Sequence, residues 1–251
     1  MSLRSASGHV IISNISTLGL VSTVRWAISG IMKVNADRAN LGVICDMQFD
    51  GGGDAAACYY DLEGFPGGTD VAGAASILAG APNTGSPVLQ ASRPPVGDWF
   101  GFFLDQFTDG GNIRFGWINL SAYTGAWNLV EVLGLTTAQA TAVTNTGVCS
   151  NSNPVDADVT VYRGSNTPLD PDDYLKDLKF PLSRRANLWD YLLLGAGAAN
   201  WREMAGKGAI ATADGGGGGH SQGTLYDFPF AGRRNQRNVM RPQIFQPGLA
   251  R

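Results

Sequence analysis

Two histidines, three glutamates and three cysteines are scattered through 251 residues, so the side chains that most often carry chemistry are scarce. Retaining glycoside hydrolysis on a β-sandwich needs two carboxylates about 5–5.5 Å apart, typically at i and i+4 of one strand. None of Glu63, Glu131 and Glu203 has an acidic partner at that spacing, and no catalytic residue is expected. His9 and His220, the latter behind five glycines, are expected to be exposed and outside any rigid triad. Cys45, Cys58 and Cys149 form no CxxC pair, and an odd count fits a secreted disulfide framework poorly. Buried thiols are expected. No run approaches the ~20 apolar residues of a membrane helix, so membrane insertion is not expected. Residues 1–7 lack the apolar stretch of a secretory signal, and synthesis in a cytoplasm without standard export is the expectation.

What is present is glycine, 34 residues without a collagen-like period, together with 44% apolar and 16% charged residues. That composition supports a real core with many tight turns. The net charge is only −3, but residues 228–251 hold five arginines and no acid, giving +5 and leaving −8 for residues 1–227. A body of one domain, 1–227, and a basic arm, 228–251, are the expected units.

Alternating apolar residues predict strands over Thr23–Val34 and Leu41–Phe49, which together look like an antiparallel hairpin, with a turn at the Gly51-Gly52-Gly53 run. Ala57–Glu63 alternates again, and Val71–Pro95 reads as a weak edge strand and an irregular loop. Trp99–Phe107 and Ile113–Leu120 are aromatic-rich strands joined by the Asp109-Gly-Gly-Asn112 turn. Trp127–Leu133 and Val159–Tyr162 are further strands, Thr136–Asn145 a short helix, and Tyr174–Leu182 alternates weakly. Ser183–Leu194 fits a helix or a final strand, and Gly215–Gly219 a flexible linker or loop. The sum is all-β: an antiparallel jelly-roll sandwich with an extended C-terminal arm.

Three stretches carry a family resemblance: the strand opening Thr23-Val-Arg-Trp26, the segment Gly97-Asp-Trp99-Phe-Gly-Phe-Phe-Leu-Asp105, and Asp173–Ser183 with its closing Leu-Ser turn. Leu188–Gly195 followed by Trp201–Gly208 adds a return strand and glycine-rich turn. In this order, over about residues 9–228, the chain resembles the concanavalin A-like lectin/glucanase superfamily in its laminin-G-like form, of the kind found in bacteriophage structural proteins. Phe100 and Gly101 stand where that family places a His pair, and no acidic cluster matches its calcium site. Calcium and glycan binding are therefore not carried over with the resemblance.

Asp156, Asp158, Asp170, Asp172 and Asp173 offer a calcium alternative through loop oxygens, as do Asp50 and Asp54, but their spacing is not that of an EF-hand and turn capping is the expected role. No metal or cofactor is expected. Trp26, Trp99 and Trp117 alternate with apolar neighbours and are expected in the core; Trp127 and Trp201, in turn-rich contexts, are the glycan-stacking candidates. The arm has prolines at 229, 242 and 247, which exclude a continuous helix. Its expected docking residues are Phe228, Phe230, Arg233, Arg234, Arg237, Met240, Arg241, Ile244, Phe245, Leu249 and Arg251, apolar anchors beside arginines that pair with carboxylates. An arm folded back over its own acidic body is the alternative, and nucleic acid is not expected. The leading reading is a non-enzymatic structural protein of a phage virion, a capsid decoration, head-fibre or tail-associated protein, anchored by the arm to the major capsid or another virion protein. A homo-oligomer is expected on base rates. The alternative is a carbohydrate-binding module for a host surface glycan.

Overall fold

The computed structural model describes residues 2–5, 9–13, 18–21, 24–36, 42–49, 54–61, 72–76, 88–89, 92–109, 112–123, 125–132, 143–149, 155–180, 183, 187–195, 201–214 and 220–226. The arm and the Gly215–Gly219 segment lie outside these residues, as does most of the helix expected at Thr136–Asn145.

Sixteen strands and one helix are described. They are β1 (Leu3–Ser5), β2 (His9–Ser13), β3 (Trp26–Ala36), β4 (Gly42–Phe49), β5 (Asp54–Asp61), β6 (Gly73–Ser76), β7 (Val88–Leu89), β8 (Trp99–Gln106), β9 (Ile113–Asn119) and β10 (Asn128–Val132). There follow β11 (Val143–Val148), β12 (Asp156–Ser165), α1 (Pro171–Leu178), β13 (Trp189–Leu193), β14 (Trp201–Glu203), β15 (Ile210–Asp214) and β16 (His220–Gln222). One sheet runs β10-β9-β8-β3-β12-β1-β16, with β13 and β14 extending it beside β12; the other runs β15-β2-β11-β4-β5-β6-β7. Every described pairing is antiparallel. The expected all-β antiparallel sandwich is the fold observed.

The interior forms because period-two alternation delivers one face of each sheet to the other. Trp26, Ile28, Met32 and Val34 of β3 and Phe100, Phe102 and Leu104 of β8 join Ile44, Cys45 and Met47 of β4 and Val143 and Val148 of β11 in one buried cluster. Trp26 and Trp117 are core, as expected, and the three cysteines are buried thiols. At Gly164 of β12 the indole of Trp189 packs so closely that a Cβ there would lie 1.9 Å from its Cζ2.

The first sheet is buried on its outer face too. Ile31, Val161, Leu178 and Tyr226 form a second cluster there, with Trp99, Leu120, Trp127 and Leu192 packed against it. Tyr174 of α1 stacks on Phe103 of β8, ring centroids 4.3 Å apart. Helix α1 corrects the expectation of weak alternation over Tyr174–Leu182: Asp170 precedes Pro171 at the first turn, Asp172 and Asp173 complement the helix dipole, and Tyr174, Leu175 and Leu178 share the buried side.

Three further expectations are corrected. β3 and β4 are not a hairpin, because they lie in opposite sheets; β4 pairs instead with β5 across the glycine run. β12 is ten residues long rather than the four of Val159–Tyr162, and it is buried throughout. Val143 to Asn145 belong to strand β11, not to a helix. Ser183–Leu194, open between helix and strand, contains β13.

Candidate functional site

At one end of the first sheet, the start of β3 meets the turn after β8 and the connection after β12. The opening between them, about 270 Å³, is lined by Leu18, Gly19, Leu20, Val24, Arg25, Asp109 and Asn166. Its position is fixed from below. Gln106, wholly buried at the end of β8, donates from Nε2 to the Val24 carbonyl at 3.0 Å, tying down the chain that enters β3. The Arg25 backbone N–H donates to Asp109 Oδ1 at 3.1 Å, and its guanidinium Nε lies 3.5 Å from the same oxygen. Both side chains are mostly solvent-facing, 57% and 69% exposed, so this pair is screened and orients the groups more than it stabilises them. Asn166 accepts from Thr167 Oγ1 at 3.3 Å and is exposed. The mouth thus presents a guanidinium, a carboxylate and an amide beside Leu18, Leu20 and Val24.

The opposite end of the same strands holds the chain that leads toward the arm. Gly223 donates to the Ser2 carbonyl at 2.9 Å. Thr224 then donates from its N–H and hydroxyl to Asp158 Oδ2 at 3.0 and 2.6 Å and receives Lys33 Nζ at 2.6 Å. Asp158 is also 3.0 Å from Lys33 Nζ and accepts from Asn35 at 3.0 Å. Burial would raise its carboxyl, but the Thr224, Asn35 and Lys33 hydrogen bonds outweigh burial and hold it below the ordinary carboxylate value. A Cβ at Gly223 would come within 2.5 Å of Ser2 Oγ and 2.7 Å of Asp158 Oδ1, so a side chain there would displace the Ser2 hydroxyl and the Asp158 carboxylate. Tyr226 ends the described chain against Trp99, ring centroids 5.0 Å apart, with Lys33 Nζ 5.5 Å from the Trp99 centroid.

In the β3–β8 register, Trp26 opposes Gln106 at the pocket end and Lys33 opposes Trp99 at the arm end. The seven steps between them correspond to about 23 Å of strand.

The interior carboxylates are engaged elsewhere. Asp105 receives Arg114 at 3.0 and 2.8 Å and Tyr174 Oη at 2.7 Å. Arg163, fully buried, reaches Asp190 Oδ1 at 2.8 Å, Asp177 Oδ2 at 3.3 Å and the carbonyls of Asp177 and Phe180 at 3.0 and 2.9 Å. Asp61 is paired with Arg93, and Asp46 accepts the Gly147 N–H at 2.8 Å. Glu203 accepts from the N–H groups of Ala205 and Gly206, and Glu131, exposed, from Asn112. Asp156 and Asp158 are not loop residues, as the calcium alternative required, but buried members of β12; Asp170, Asp172 and Asp173 open α1. Among the described residues no three His, Cys, Asp or Glu side chains are grouped to hold a metal ion.

Of the two tryptophans expected as exposed stacking platforms, Trp201 is corrected to a core residue, 6% exposed, its Nε1 donating to the Gly195 carbonyl at 2.9 Å. Trp127 is half-buried, edge-on to Phe103 at 5.1 Å. Trp99, expected in the core, is half-buried on the outer face. His9 and His220 open strands β2 and β16. The docking residues of the arm, Phe228 to Arg251, lie outside the described residues. Arg25 and Asn166 carried no signal in the sequence, and Asp109 read only as a turn.

No family model matches the chain, and no curated protein does. Among solved structures it is similar to the laminin α2 LG1-3 region, 8% identical with TM-score 0.44 over 68% of this chain and 32% of that one. A heptameric SAP-like pentraxin from Limulus polyphemus is 8% identical, TM-score 0.42, over 69% of this chain and 80% of its own. A sialidase from Trypanosoma rangeli is 10% identical, TM-score 0.38, over 61% of this chain and 22% of its own.

Proposed function

We propose that this chain is a non-enzymatic display protein whose sandwich binds carbohydrate at the Arg25–Asp109–Asn166 mouth and whose C-terminal arm anchors it to a larger assembly. The observation that carries this reading is polarity of layout: the mouth and Tyr226, the last described residue before the arm, lie at opposite ends of the β3–β8 pair. A molecule held at one end presents the other. Sugars offer arrays of hydroxyls that both donate and accept above a face of C–H groups. A guanidinium that donates, a carboxylate that accepts and an amide that does both suit the first, and the half-buried Leu18 and Val24 suit the second. The interior carboxylates described above are committed to arginine, lysine and backbone donors, which favours binding over hydrolysis. An array of bacterial surface glycans tests the mouth: saturable binding lost on Arg25→Ala and Asn166→Ala supports it, and a blank array or unchanged binding by the variants overturns it.

For the assembly we propose a phage virion, with the chain as a capsid decoration, head-fibre or tail-associated protein. The composition of residues 228–251 favours this, +5 with three prolines against a body of −8, a segment suited to being ordered by a partner's acidic, pocketed surface. A chain ending at Asp227 should keep its fold and lose incorporation into particles; retained incorporation would contradict the anchor.

A further inference from the structure

Cys45 and Cys58 face each other across β4 and β5 as direct register partners, in the middle strands of the second sheet. Both are fully buried, and their sulfur atoms stand 3.1 Å apart. Directly opposed residues of an antiparallel pair keep their Cα atoms about 4.5–5.5 Å apart, inside the about 4.4–6.8 Å that a disulfide spans. Bond formation therefore asks the sulfurs to close by roughly 1 Å and leaves the strands in place. Cys149, the third thiol, sits just beyond β11, its N–H donating to the Ile44 carbonyl at 2.8 Å and its backbone left-handed at φ 57°. It is the register partner of neither cysteine.

We infer that Cys45 and Cys58 are a modification site, oxidised to an intramolecular disulfide that staples β4 to β5 when the chain folds or opens in the presence of a low-molecular-weight disulfide. A thiolate of the pair attacks the oxidant, forming a mixed disulfide and releasing one small thiol. The second cysteine, losing its proton, attacks the protein sulfur of that bond and expels the second small thiol. Two protein thiols are oxidised and one disulfide is reduced to two thiols, so electrons and protons balance. In the closed sandwich the step is slow, because burial, followed by the neighbouring Cys58 thiol, pushes the Cys45 thiol well above its ordinary value and no oxidant reaches it. A particle protein folded in a reducing cytoplasm would carry the pair as thiols and acquire the staple on opening in an oxidising exterior. Because the cysteines are thirteen positions apart, closing that loop raises the thermal midpoint by several degrees.

The test uses the full chain, unfolded in guanidinium with reductant and refolded in oxidised and reduced glutathione. It is then acid-quenched, alkylated with N-ethylmaleimide and mapped without reduction. The expected result is a loss of about 2 Da, one alkylated cysteine at Cys149, and a cross-linked peptide pair carrying Cys45 and Cys58. The raised midpoint should return to its reduced value in dithiothreitol. Cys149→Ser should keep the cross-link and Cys58→Ser abolish it. A second sample, never unfolded and held with oxidised glutathione just below its midpoint, is read the same way and needs no refolding. Three alkylated cysteines in both samples, a stable glutathione adduct, or a bond that includes Cys149 would overturn the assignment.

Discussion

Thr146 Oγ1 and Tyr162 Oη stand 2.5 Å apart, a polar bridge between strand β11 of one sheet and β12 of the other. Thr146 Oγ1 also lies 2.5 Å from the Asp46 carbonyl and Tyr162 Oη 3.0 Å from that of Gly147; one hydroxyl donates across the bridge and the other to its carbonyl, so both protons are used within the network. A satisfied buried network fixes how the sheets face one another, whereas apolar contacts alone would tolerate sliding. Tyr162→Phe keeps the ring and removes the bridge. The expected cost is about 1–3 kcal/mol in urea unfolding, with Tyr123→Phe, an exposed tyrosine, as a near-neutral control.

Arg163 joins β12, α1 and β13 by serving Asp177 and Asp190 together. Arg163→Ala leaves two buried carboxylates uncompensated and should destabilise by about 3–5 kcal/mol, more than the loss of any surface ion pair such as Lys176–Asp173. Equilibrium denaturation of Arg163→Ala and Lys176→Ala measures the difference.

Gly164→Ala drives a methyl into the Trp189 indole. Overpacking of this kind costs about 1–3 kcal/mol and more where the neighbour cannot move. Trp189 is fully buried in the core cluster, so a thermal midpoint well below that of the parent chain is the expected result.

Acid should release the crossing at Thr224. The folded Asp158 carboxyl lies below its ordinary value of 3.8, so its contribution is complete above that value and disappears as pH falls through the lower, folded one. Amide exchange at residues 220–226 should accelerate in that window, and Asp158→Asn should remove the pH dependence.

The strands β3, β8 and β9 were legible because alternation and the Asp109-Gly-Gly-Asn112 turn are local signals. Alternation tells which face a residue takes but not which sheet its strand joins, and so β3 and β4 read as a hairpin. β12 was seen only at Val159–Tyr162 because Asp156, Asp158 and Arg163 interrupt its apolar pattern. Those charges are buried by partners from distant segments, Arg4, Lys33, Asp177 and Asp190. Helix α1 is two turns long, too short for a helical period to stand out beside its cap. Trp201 looked exposed among glycines, but the Gly195 carbonyl satisfies its indole in the core. The mouth was illegible for a different reason, since residues 25, 109 and 166 meet only after β3, β8 and β12 have been laid side by side.

The measurement that bears most directly on the account is saturation-transfer NMR on the intact chain with fragments of host surface polysaccharides, compared with the Arg25→Ala/Asn166→Ala double variant and a chain ending at Asp227. The account predicts transfer to sugar protons from the intact and the shortened chains alike and none from the double variant. Transfer to no sugar, or equal transfer from the double variant, would contradict it.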